Sequence, residues 1–65
     1  MPTLSELDLD ALVGRRVDEA RAAITEAGGI LRAVSPDQAV TADYRSHRVT
    51  LLVEDGRVIR NLGIG

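Results

Sequence analysis

The sequence predicts an α+β domain in which one helix covers a face of a small sheet, and three observations carry that prediction. Apolar residues recur at helical spacing once, early in the chain; two short apolar runs of β character follow; and Asp55-Gly56 separates the second of these from a third. Residues 1–11 alternate Leu with Ser, Asp and Glu without a large apolar cluster, and read as a loosely ordered N-terminal arm ahead of a single domain over 12–65. From Val17 the apolar positions Val17, Ala20, Ile24 and Ala27 share one helical face, with Asp18, Arg21, Thr25 and Glu26 on others, so 17–27 is an amphipathic helix of about three turns. Asp18 and Glu19 complement the dipole of its first turn and Gly28-Gly29 stops it, whereas Arg16 stands where Ser, Thr or Asp would cap the first amides. Ile30 to Val34 is apolar apart from Arg32 and bounded by Gly-Gly and Ser-Pro, as a strand requires; 49–53 is a second strand. Asp55-Gly56, flanked by VTLLV and RVIRN, suits a two-residue turn with positive φ at both central residues and so marks a β-hairpin.

Composition narrows the function. A chain of 65 residues buries only about 60% of the surface its unfolded form exposes and keeps roughly 3 to 5 kcal/mol of net stability, which leaves little room for an enclosed active site. There is no cysteine, so disulfides, thiolate metal sites and cysteine nucleophiles are excluded. Apolar residues make up 45% and are nearly all aliphatic, enough for a packed core. A formal charge of -2 and a pI near 5.1 argue against nucleic acid as a partner. No apolar run approaches the ~20 residues of a membrane span, and the N-terminus is acidic where a signal peptide is basic. A soluble monomer is expected, with no cofactor, no metal and no membrane partner, secreted if this is a mature form and otherwise cytoplasmic.

Between the two strands lies a long connection, 35–47, whereas connections in compact domains have a median near 4 to 6 residues. The stretch AVTADYRSHR at 39–48 holds the only tyrosine, the only histidine and two of the arginines. Val40, Thr41 and Tyr44 favour extended backbone, and Arg45 and Arg48 follow closely enough to fold back and hold the carbonyls and the Asp43 carboxylate. An extended segment braced from below by arginines fits a protease cleft. Tyr44 has the alternative of plugging the core, and Arg48 that of an ordinary surface ion pair. Asp43 and His47 with Ser46 or Ser35 offer the residue types of a catalytic triad, but one short loop supplies nothing to orient them and no oxyanion hole, so the chain is not expected to be an enzyme. His47 has no second histidine or cysteine to share a metal with.

The segments LVGRRVDEARAAI and SPDQAVTADYRSHRVTLLVEDGRV and the terminal GIG resemble the potato inhibitor I (eglin-like) family of serine protease inhibitors, and the spacing P-x-x-A-V-T-x-D-Y-R-x-x-R is similar to that of its small bacterial branch. The likeness spans 12–65. It implies a helix on a small mixed sheet of about three strands, the strand after the helix running parallel to the one after the loop, and a long exposed reactive loop between those first two strands. It further implies a substrate-like mechanism against subtilisin-like or elastase-like proteases, with Ala42-Asp43 as the reactive bond and Ala39, Val40, Thr41, Tyr44 and Arg45 touching the protease. Thr41 and Asp43 are the bracing side chains by that likeness, and Arg48, aided by the carboxylate of Gly65, matches the first of two arginines beneath the loop. The second is replaced by Thr50, so Thr50→Arg is expected to tighten the loop if there is room. Leu9 replaces a tryptophan, Leu62 a proline, and the cysteine pair common in the bacterial branch is absent. The competing reading keeps the scaffold as a non-inhibitory protein-binding module, since Ala42 fills a specificity pocket poorly.

Overall fold

The structure, a computed structural model, describes residues 4, 6–37 and 43–65. Helix α1 runs over Val17–Glu26, preceded by a single 3-10 turn at Leu9–Leu12. Arg16 makes no side-chain cap, in keeping with its chemistry. The first helical amide has a distant acceptor instead: Val17 N–H donates to the Gly56 carbonyl at 2.8 Å, and Arg16, just before the helix, pairs with Arg57 in an isolated antiparallel bridge. Gly14 N–H donates to Val58 O at 2.7 Å and Val58 N–H to Arg15 O at 2.9 Å, so the approach to the helix is stitched to the hairpin. A missing local signal is thus replaced by a contact far along the chain.

The helix ends as Gly-Gly predicts. Gly28, at φ 85°, donates to Thr25 O at 3.0 Å and Gly29 donates to Ile24 O at 2.9 Å, the paired bonds of a Schellman motif. A Cβ on Gly29 would lie 3.0 Å from His47 O and 2.7 Å from the tip of the Leu4 side chain, so a larger residue there would push Leu4 aside and crowd the His47 carbonyl.

Three strands follow: β1 at Ile30–Val34, β2 at Arg48–Glu54 and β3 at Arg57–Ile64, in the order β1-β2-β3 with β2 central. β1 and β2 are parallel, with Ile30 opposite Arg48 and Arg32 opposite Thr50, while β2 and β3 form an antiparallel hairpin, so the sheet is mixed. Parallel neighbours need a crossover of about a dozen residues or more, which gives the connection 35–47 a topological reason for its length independent of any function. The hairpin turns at Asp55 (φ 54°) and Gly56 (φ 76°), left-handed at both positions as a type I′ turn demands. A Cβ on Gly56 meets nothing within 4 Å, so Gly56→Ala adds conformational strain alone. It should cost about 1 kcal/mol, read as a lower urea midpoint with an unchanged slope.

Alternation along the strands sorts their side chains onto two faces. Leu31, Val49, Leu51 and Val58 join Leu12, Ala20 and Ile24 in the core between sheet and helix. Arg32, Val34, Arg48, Thr50 and Leu52 line the opposite face, where Val34 is buried without belonging to that core. β3 carries two irregularities, leaving Ile59 and Leu62 as extra residues; such bulges bend an edge strand and discourage pairing with other chains. Over the segment read as an arm, Leu4, Leu7 and Leu9 are partly buried against the core, and Asn61 Nδ2 donates to Asp10 Oδ1 at 3.1 Å. The spacing of Leu4, Leu7, Leu9 and Leu12 hid these contacts, because it keeps neither strand nor helix periodicity over a useful length.

Candidate functional site

The site is built on the face of the sheet away from α1, from the start of the central strand. Arg48 is the first residue of β2, and its side chain is 15% exposed. The backbone around it is fixed from three directions: Arg48 N–H donates to Arg45 O at 3.2 Å, Gly65 N–H donates to Arg48 O at 2.7 Å, and neighbouring His47 accepts from Ile30 N–H at 2.9 Å. The guanidinium therefore starts from a pinned Cα. Its Nε donates to Gly65 O at 2.9 Å, one terminal nitrogen donates to Asp43 Oδ2 at 3.2 Å, and the other donates to the Asp43 carbonyl at 2.7 Å. One arginine thus holds both the side chain and the main chain of Asp43 against the end of β3.

Asp43 gathers further charge. Arg32 NH1 lies 3.7 Å from its Oδ1 and Arg45 Nε 4.0 Å from its Oδ2. These contacts differ in weight: the Arg45 side chain is 62% exposed, in the regime where ion pairs contribute about 0 to 1 kcal/mol, whereas that of Arg32 is 21% exposed. Arg32 Nε donates to Thr50 Oγ1 at 3.1 Å, and the Thr50 hydroxyl donates in turn to Gly65 O at 3.1 Å. Thr50 is 4% exposed and both roles of its hydroxyl are used. Thr50→Arg would remove the hydroxyl that Arg32 donates to and that donates to Gly65 O, so any bracing it added would come with the loss of both bonds.

The structure brings together Asp43, Arg48 and Gly65 of the residues expected from sequence, and leaves Arg45 at the rim. Tyr44 is 71% exposed, which removes the reading of it as a core plug, and its ring lies beside Gly65, where a Cβ would sit 3.5 Å from Tyr44 Cδ2. His47 is exposed. Ala39, Val40, Thr41 and Ala42 lie outside the described residues. Sequence reasoning missed Arg32. Its signal was a lone charge in an otherwise apolar strand, and it becomes interpretable once the parallel register sets it beside Thr50. An open groove of about 300 Å³ between the 3-10 turn and α1 is lined by Leu7, Leu12, Arg15 and Ala23 among others, and by none of the residues around Asp43. Comparison of the chain with protein-family models and with curated proteins finds no match.

Proposed function

We propose that this chain is a serine protease inhibitor of the potato inhibitor I type, presenting the Ala42-Asp43 bond to a subtilisin-like or elastase-like protease as a slowly turned-over substrate. The observation that carries the reading is the hold of Arg48 on both the carbonyl and the carboxylate of Asp43, the residue on the leaving side of that bond. A protease and its inhibitor bury roughly 1,600 Å², and affinity at that area depends on preorganisation. Each loop residue held before binding removes about 1 to 2 kcal/mol of ordering cost from the association step. After acylation through Ala42, the new amine belongs to Asp43. An amine kept beside the acyl carbonyl by Arg48 competes with water, and religation restores the bond.

The test is an inhibition panel of subtilisin-, elastase-, chymotrypsin- and trypsin-like enzymes, with mass spectrometry of the complex to locate a nick after residue 42. Inhibition with that nick supports the proposal; binding without inhibition makes the chain a protein-binding module on the same scaffold. Specificity supplies a sharper version. The alanine methyl suits a small or broad primary pocket, leaves a deep chymotrypsin pocket unfilled and leaves the trypsin carboxylate unpaired, so inhibition should weaken in the order subtilisin or elastase, chymotrypsin, trypsin. At roughly 0.8 kcal/mol per buried methylene, Ala42→Leu should strengthen chymotrypsin inhibition by about 1.5 to 3 kcal/mol, and Ala42→Arg should bring in trypsin. Inhibition constants unmoved by both substitutions would mean that residue 42 does not enter the pocket.

A further inference from the structure

We infer that Arg32 is a second positioning residue for the Ala42-Asp43 bond, holding the Asp43 carboxylate from β1 while Arg48 holds it from β2. The inference rests on the proposed inhibitor function, and it starts from the division of labour at the carboxylate. Arg32 faces Oδ1 and Arg48 faces Oδ2. An arginine on one oxygen alone leaves the carboxylate free to swing about that contact; two cations on opposite oxygens, rooted in different strands, fix its plane. Those roots are set by the parallel pairing of Arg32 with Thr50, one residue pair along from Leu31 and Val49 in the core, so the spacing of the two anchors is a property of the sheet.

The two arginines are also joined beneath the carboxylate. Arg32 bonds the Thr50 hydroxyl, Thr50 bonds Gly65 O, and Arg48 Nε ends on the same oxygen, which closes a ring from Asp43 Oδ1 through Arg32, Thr50, Gly65 and Arg48 back to Asp43 Oδ2. In such a ring the orientation of Arg32 is held by a buried hydroxyl and its outer nitrogen is left to meet the carboxylate. A lysine could not do both, because a single ammonium on a flexible stem lacks the fixed fork.

The experiment uses the full chain with Arg32→Ala, Arg32→Lys, Asp43→Asn and the double substitution Arg32→Ala/Asp43→Asn, and follows cleavage after residue 42 by subtilisin alongside urea unfolding. Arg32→Ala should speed cleavage about ten-fold with a cooperative urea transition at a somewhat lower midpoint, and Arg32→Lys should restore only part of the resistance. In the Asp43→Asn background, Arg32→Ala should change the rate by less than about two-fold, because the negative charge it acts on is gone. An equal effect of Arg32→Ala in both backgrounds, or no effect in either, overturns the inference. If Arg32→Ala does not fold, Arg32→Gln, neutral and of similar length, takes its place in the cycle. If the parent chain inhibits no serine protease, the inhibitor function fails on its own account and the clamp is judged by amide hydrogen exchange at 44–47. Faster exchange there in the Arg32 variant, confined to that segment, supports the clamp, and unchanged exchange overturns it.

Discussion

Arg48→Ala should raise the rate at which a subtilisin-like protease cleaves the Ala42-Asp43 bond by roughly thirty- to thousand-fold and, because the same bonds stabilise the free domain, should also lower its urea midpoint. The side chain makes three bonds, to the Asp43 carboxylate, the Asp43 carbonyl and Gly65 O. Charge-assisted bonds contribute about 1.5 to 3 kcal/mol each when shielded, and far less when exposed. Arg48 is mostly buried but Asp43 is 50% exposed, so the set contributes roughly 2 to 4 kcal/mol. The backbone bonds of Arg48 to Arg45 and Gly65 do not involve the guanidinium and survive the substitution. On the proposed mechanism the substitution releases the leaving amine, so hydrolysis gains on religation. The check is the accumulation of nicked chain by mass spectrometry, with far-UV circular dichroism to establish that the fold persists; unchanged cleavage kinetics would place the brace elsewhere.

Leu51→Ala should leave the domain largely unfolded at room temperature. Leu51 lies at the middle of the central strand with no exposed surface, packed among Val49, Val58 and Ile24. Truncating a buried leucine costs about 2 to 5 kcal/mol, from lost burial and from the cavity left behind. A domain of this length holds only roughly 3 to 5 kcal/mol, so one substitution reaches the whole margin. Val13→Ala, at a side chain 43% exposed, should shift stability by less than about 0.5 kcal/mol. A cooperative urea transition in Leu51→Ala near that of Val13→Ala would show that the core is held by more than this layer of side chains.

Legibility in the sequence followed the range of the interactions involved. The helix from Val17, its stop at Gly28-Gly29 and the turn at Asp55-Gly56 are written in residues a few positions apart, and each lies where the pattern put it. Arg48 and Asp43, five apart, could be paired from spacing alone. Arg32 could not: its value depends on which residue of β2 stands beside it, and a parallel register across a long connection leaves no local mark. Thr50 stands as a missing arginine only by the family resemblance; in the structure its hydroxyl accepts from an arginine of the next strand. The helix start was the other gap, since its acceptor, Gly56, belongs to a turn 39 residues downstream.

That last contact has a consequence for how the protein comes to be folded at all. Helices ordinarily gain their first turn from a neighbouring cap, and can flicker into existence before the rest of the chain is in place. Here the leading amide of the first turn is satisfied by the hairpin, so α1 gains its last hydrogen bond only when these distant parts of the domain have met, which couples helix and hairpin and favours cooperativity over speed. For a chain whose proposed work is to sit in the cleft of a protease, that trade is protective. States with the helix docked and the hairpin open, or the reverse, are raised in energy, and a protease that can cut only opened forms finds few of them.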